Sequence, residues 1–285
     1  MITLSNGHRF EYMVASGALA FDGKGWPWEK PLVWFGLIKP ELFTVVIKSL
    51  TRHPRKGNLR WWKPWECVRL IPGGSINKVG LTNPGIEWWC EKVGPYLDFQ
   101  KFPLVGSIFG ERSELIEMAE MFNHFDFKAI EVNVSCPNAT HDNQTEMIIR
   151  CVKEVKRTSR HPIIVKVSVD QDYEKINKEL VWTAEAISLN SIKYELVYPN
   201  KKSPLSKLEQ KVGGGGGGIS GKPAQKLNWE AVEKMAVQGC LNVIAPRVMN
   251  EDNLRQVREL GAQAVSFEAI HLRTPWKPTQ IIRKE

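Results

Sequence analysis

No apolar run in this 285-residue chain approaches the roughly 18 residues that a membrane span requires, which excludes a helical membrane protein. The opening residues, Met1 to Gly7, lack a charged stretch followed by an apolar core, so no secretory leader is expected. Cysteine is scarce: Cys67, Cys90, Cys136, Cys151 and Cys240 are odd in number, scattered and without metal-ligand spacing. That argues against a metal or iron–sulfur centre and for a reducing, cytoplasmic setting. The six consecutive glycines, Gly213 to Gly218, are not followed by Gly-Lys-Ser/Thr, which excludes a P-loop. No repeat, linker or break in composition divides the chain, so a single domain over residues 1–285 is expected.

What is present suits a protein with a full core. Hydrophobic residues make up 42% and charged residues 25%, and the length fits one large α/β barrel or two smaller domains. The formal charge of +8 raises the question of nucleic acid. However, the basic residues are spread out, and their local clusters at 52–60 and 201–211 read as loops. A solvated basic surface, or attraction for an anionic small molecule, is the better reading.

Ile2 to Leu4 and His8 to Phe10 flank Ser5-Asn6-Gly7, a tight-turn signal, so a small β-hairpin opens the chain. Eight short runs rich in β-branched residues follow: Tyr12 to Ser16, Thr44 to Ile47, Leu104 to Ile108, Ala129 to Asn133, Ile163 to Val167, Ala186 to Leu189, Asn242 to Ala245 and Ala264 to Phe267. Helical patterns near 113–122, 145–158, 173–183, 229–238 and 251–260 alternate with the later ones. Eight strands in this alternation call for a (β/α)₈ TIM barrel with inserted loops. The aromatic stretch 26–34 reads as loop, and Ser75 to Gly85 reads as too rich in Gly, Pro and Asn for a regular element.

Active sites of such barrels lie at the C-terminal ends of the strands. Those ends carry Ser16, Lys48, Ser107, Asn133 with Cys136, Lys166, and Asn190 with Ser191. Lysine is rarely buried unless paired, so two at strand ends stand out. With several carboxamides and a strand-end thiol they describe a pocket for a planar, anionic, hydrogen-bonding ligand.

Several segments then resemble, in order, those of one family: Lys48-Ser49-Leu50-Thr51, Ile76-Asn77-Lys78-Val79-Gly80-Leu81-Thr82-Asn83-Pro84-Gly85, Asn133-Val134-Ser135-Cys136-Pro137-Asn138, Val165-Lys166-Val167, Asn190-Ser191 and Gly217-Gly218-Ile219-Ser220-Gly221. The family is dihydroorotate dehydrogenase, and Cys136 resembles its soluble class 1, whereas the membrane-associated class uses serine there. The resemblance implies oxidation of dihydroorotate to orotate in pyrimidine biosynthesis, with hydride transfer to FMN. Mapped by motif, Cys136 is the base, Lys48 sits near flavin and substrate, and Lys166 faces the N1–O2 edge of the flavin. Asn77, Asn133, Asn138, Asn190 and Ser191 contact the pyrimidine, and amides around Val79, Gly80 and Leu81 hold the carboxylate. Ser16, Ser49, Ser107, Asn133, Lys48 and Gly221 map to FMN contacts, although Ser107 replaces a more usual asparagine.

Two positions depart from the pattern. After the seventh strand paired glycines are replaced by Arg247 and Val248, and after the eighth Gly-Thr becomes Glu268-Ala269. Either Arg247 binds the FMN phosphate or the site is weakened. The alternatives left open are another FMN barrel, such as a tRNA dihydrouridine synthase, and a non-catalytic binding barrel. The resemblance also implies an electron acceptor of unspecified identity, a separate electron-transfer subunit if that acceptor is NAD, and a homodimer. Nucleic acid and membrane partners are not expected.

Overall fold

A period of two runs through eight short strands, and it sorts their side chains into an outer and an inner set. The computed structural model describes residues 1–60, 62–134, 141–212 and 216–285. In it β1 (Tyr12–Val14), β2 (Thr44–Val46), β3 (Leu104–Ile108), β4 (Ala129–Asn133), β5 (Ile163–Val167), β6 (Ala186–Leu189), β7 (Asn242–Ala245) and β8 (Ala264–Phe267) pair in parallel. They close in chain order, β8 against β1, into the expected barrel. Outward residues such as Val45, Leu104, Ile130, Val132, Ile163, Val165, Ile187 and Val243 pack into the main core against helices. Those helices include Arg112–Phe122, His141–Thr158, Tyr173–Glu179, Gln225–Gln238 and Glu251–Glu259.

The inner set changes character along the barrel axis. Met13, Val46, Val105, Ala129, Ile164, Ala186, Ile244 and Ala264 form one apolar layer with Ile2, Leu4 and Phe10. The last three belong to the N-terminal hairpin, whose strands are Ile2–Thr3 and Arg9–Phe10. Asn6 donates to the Lys128 carbonyl and Ser5 to the Glu185 carboxylate, both just ahead of barrel strands. The hairpin therefore plugs the N-terminal end. Two residues further along six of the eight strands the interior turns polar: Lys48, Ser107, Glu131, Lys166, Ser188 and Ser266. Because the side-chain period is two, these residues share a face with the apolar layer below and look toward the C-terminal mouth.

Over that mouth lies a second, antiparallel sheet in the order Ile192–Lys193, Gly218–Gly221, Gly74–Asn77, Val68–Ile71. This corrects the reading of residues 75–85 as wholly irregular, since the first part is a strand paired on both edges. Tertiary pairing overrides weak local preference there. Gly74 and Gly221 are partners in register, and a Cβ on Gly74 would lie 2.1 Å from the Ser220 carbonyl oxygen. The stretch 26–34, expected as loop, instead holds a 3₁₀ turn at Pro27–Glu29 and a short helix at Lys30–Trp34. Proline at the first helical position favours that start.

One glycine reports how tightly the outer layer is packed. A Cβ on Gly106 would sit 2.6 Å from Cε2 of Phe122, a ring fixed against Trp89 and Phe127. Gly106→Val is expected to lower stability by about 2 kcal/mol or more through overpacking, read as a lower urea midpoint at unchanged slope.

Candidate active site

Five consecutive strands deliver one polar side chain each to the mouth, and these bond to one another in a closed circuit. Lys166 Nζ on β5 donates to Glu131 Oε1 on β4 at 2.8 Å and to Ser16 Oγ, just past β1, at 3.0 Å. Ser107 Oγ on β3 donates to the same Glu131 oxygen at 2.9 Å. Ser49, just past β2, lies 2.8 Å from Ser107 Oγ and 3.2 Å from Ser16 Oγ, which completes the ring. Register makes this possible: Ser107 is the Cα partner of Glu131, and Asn133 is that of Lys166.

The Lys166–Glu131 pair is almost dry, with side chains 6% and 1% exposed. A buried ion pair persists only when geometry and further hydrogen bonds offset desolvation, and the three serines supply those bonds. Lys48 stands apart from this balance. Part of its length remains accessible, but burial of its ammonium lowers its pKa to about 8, with the charge of Lys166 adding to the effect. Among the described residues the charge it feels is that like charge, with no carboxylate to offset it. Two lysines and one glutamate leave the mouth with a net positive charge, ready for an anion.

The residues expected from sequence fall into three groups. Ser16, Lys48, Ser49, Ser107, Asn133 and Lys166 meet at the ends of β1 to β5, and Asn133 is buried among them. Asn190, Ser191 and Arg247 gather at the ends of β6 and β7, next to the second-sheet strand that ends at Gly221. There Arg247 Nη2 donates to the Asn190 carbonyl and Asn190 Oδ1 accepts from the Ser191 amide at 2.8 Å. Asn77 links to this group through its pairing with Gly218. The third group is the turn at Val79, Gly80 and Leu81. Gly80 and Leu81 both have positive φ, 68° and 57°, and Asn58 anchors the turn by donating its amide to the Val79 carbonyl. Cys136 and Asn138 lie outside the described residues.

Two functional features escape a reading of strand ends. Glu131 sits in mid-strand, and its signal is a carboxylate on the inward face of an otherwise apolar run, a position that demands a partner. The other is the pairing of Arg247 with Glu268, which lie after β7 and β8. A planar ring that gains negative charge fits the mouth, where two ammonium groups and several hydroxyls converge. The loops after β7 and β8 do not fit a phosphate in the usual way, because charged side chains occupy the positions where small residues expose backbone amides.

Comparison with known proteins bears on the family and the fold. A family model described as "Dihydroorotate dehydrogenase" matches residues 35–265. Three relatives are each named dihydroorotate dehydrogenase B (NAD(+)), catalytic subunit. The one from Thermoanaerobacter pseudethanolicus is 35% identical over 45% of this chain and 43% of its own length. That from Desulforudis audaxviator is 29% identical over 82% and 76%, and that from Thermodesulfovibrio yellowstonii 26% over 84% and 78%. The matched region thus spans under half of the first relative and about three quarters of the other two. A dihydroorotate dehydrogenase structure from Eimeria tenella, in complex with ferulenol, superposes with TM-score 0.69 at 15% identity over 98% of this chain and 81% of that one, which supports the fold.

If Glu131 holds Lys166 as described, Glu131→Ala strands a buried ammonium. The expected cost is about 3–5 kcal/mol of stability by urea denaturation. Glu131→Ala combined with Lys166→Met should recover much of that loss.

Proposed function

Because the chain belongs to the dihydroorotate dehydrogenase family, a flavin-dependent group of enzymes, we propose that residues 1–285 form one flavin-binding barrel that oxidises dihydroorotate to orotate in pyrimidine biosynthesis. The observation that carries this reading is the positively charged mouth, with Lys166 held by Glu131 and Ser16, Glu131 held in turn by Ser107, and Lys48 without a balancing carboxylate among the described residues. Bound flavin, FMN in this reading, supplies the acceptor for the hydride that leaves the substrate ring.

The chain's own residues divide the remaining work. Cys136, three residues beyond the end of β4 in sequence, removes the proton from the substrate carbon alpha to a carbonyl. A thiol with an ordinary pKa of about 8.5 needs only modest lowering to act near neutrality, which a positive charge beside it would supply. Lys48 offsets the substrate carboxylate, and an anion beside it favours its protonated form. The amides of the turn at Val79, Gly80 and Leu81 bind the same carboxylate. Asn77, Asn133, Asn138, Asn190 and Ser191 bond the polar edge of the pyrimidine. Leaving any of them unpaired in a closed site is costly, so the set discriminates against analogues that lack matching groups. Lys166 keeps a fixed positive charge at the mouth, where it stabilises negative charge without reorganisation. Ser16, Ser49, Ser107 and Gly221 line the cofactor side.

The named relatives are catalytic subunits, which supports a separate electron-transfer subunit and NAD as the final acceptor. Among the described residues no helix is long and apolar enough to cross a membrane. A cytoplasmic homodimer is the assembly this reading carries.

Steady-state assays with dihydroorotate test the proposal. Cys136→Ala should keep its flavin spectrum and lose about 10²–10⁴-fold in turnover, whereas near-normal turnover at neutral pH would remove Cys136 from the role of base. Lys48 carries its proton below about pH 8 and loses it above. Orotate affinity should therefore fall by up to about tenfold between about pH 7 and about pH 9, and Lys48→Ala should flatten that slope.

A further inference from the structure

Phosphate groups in barrels of this kind are held by the loops after the seventh and eighth strands, where small residues let backbone amides reach the anion. In this chain both loops carry charge, and the two charges are bonded to each other. Arg247 Nη1 pairs with Glu268 Oε2 and also donates to Ser220 Oγ at 3.2 Å, while Nη2 donates to the Asn190 carbonyl. One guanidinium thus ties together the ends of β6, β7 and β8 and the Gly218–Gly221 strand of the overlying sheet.

Arg247 is only 1% exposed, and its backbone sits at φ 70°, the left-handed conformation that favours glycine. The turn has a backbone shape that glycine adopts readily, yet a cation projects from a position where a glycine would leave amides bare. A phosphate placed here meets the Glu268 carboxylate, and the buried cation beside it is already neutralised. Moving Glu268 aside would leave a buried, uncompensated guanidinium.

We propose that this site holds flavin by its ring, and that the Arg247–Glu268 pair closes the phosphate end, so that the chain binds riboflavin at least as tightly as FMN. The inference rests on the flavin-dependent reading of the mouth. A neutral hydroxyl suits the pair where a dianion does not. The Nε–H of Arg247 is buried without a partner, a donor left over for an uncharged oxygen, and the Glu268 carboxylate can accept the hydroxyl proton in return.

The test is a titration of flavin-free protein with riboflavin and with FMN, followed by quenching of flavin fluorescence. It compares the wild type, Glu268→Gln, and the double variant Arg247→Gly with Glu268→Gly. The wild type should bind FMN no more tightly than riboflavin. Glu268→Gln frees the guanidinium for the phosphate and should tighten FMN by about tenfold, with riboflavin changed by less than about threefold. The double variant, which restores small residues at both loops, should shift the preference the same way. If it does not fold, Glu268→Gln alone decides. A wild type that prefers FMN by about tenfold or more, or a preference unmoved in the folded variants, overturns the proposal and leaves flavin-dependent oxidation standing. Failure of the wild type to bind either flavin overturns both.

Discussion

A single buried ion pair, Lys166 with Glu131, sets the character of the barrel mouth. Below it the interior is apolar and sealed by the N-terminal hairpin. At its level every strand from β1 to β5 contributes a polar group through the strand or its end, and the serines complete the hydrogen bonding that a dry ion pair requires. Barrel closure holds the circuit together, because four of its links join adjacent strands and the fifth, Lys166 to Ser16, crosses the interior from β5 to β1. The circuit in turn fixes the ammonium of Lys166 in one place, a preorganised charge that can stabilise a reducible ring without moving.

A second buried pair, Arg247 with Glu268, stands at the ends of β7 and β8, and the contrast between the two pairs is instructive. At the first, an additional lysine leaves an excess of positive charge, so the site attracts an anion. At the second, one cation meets one anion and the remaining guanidinium donors turn mainly to neutral oxygens, so the site offers little to a charged ligand. The two ends of the mouth thus differ in electrostatic character, one with an excess of positive charge and the other with its cation already paired.

Much of this is legible in the sequence, for physical reasons. Strands β3 to β8 announce themselves as short β-branched runs, and their spacing leaves room for little but crossover helices. Once the barrel is recognised, Ser16, Lys48, Ser107, Asn133 and Lys166 follow from the rule that strand ends carry chemistry. Glu131 does not follow from that rule, since it lies in mid-strand and its partner is 35 residues away. It yields only to the narrower question of what balances a carboxylate on an inward face. The strand Gly74–Asn77 is hidden for a different reason. It is held by partners on both edges, one of them far along the chain, and its glycine serves close approach to Gly221 rather than a turn. The union of Arg247 with Glu268 is a long-range contact of the same kind, visible in sequence as two separate departures and in three dimensions as one device.

The central claim is that this positively charged mouth is where dihydroorotate gives up its electrons to a flavin. Anaerobic addition of dihydroorotate to flavin-loaded protein tests it most directly. Stoichiometric bleaching of the visible flavin band, with orotate formed in equal amount, is the result expected. A flavin that stays oxidised in excess dihydroorotate, yet bleaches normally with a chemical reductant, would contradict the account.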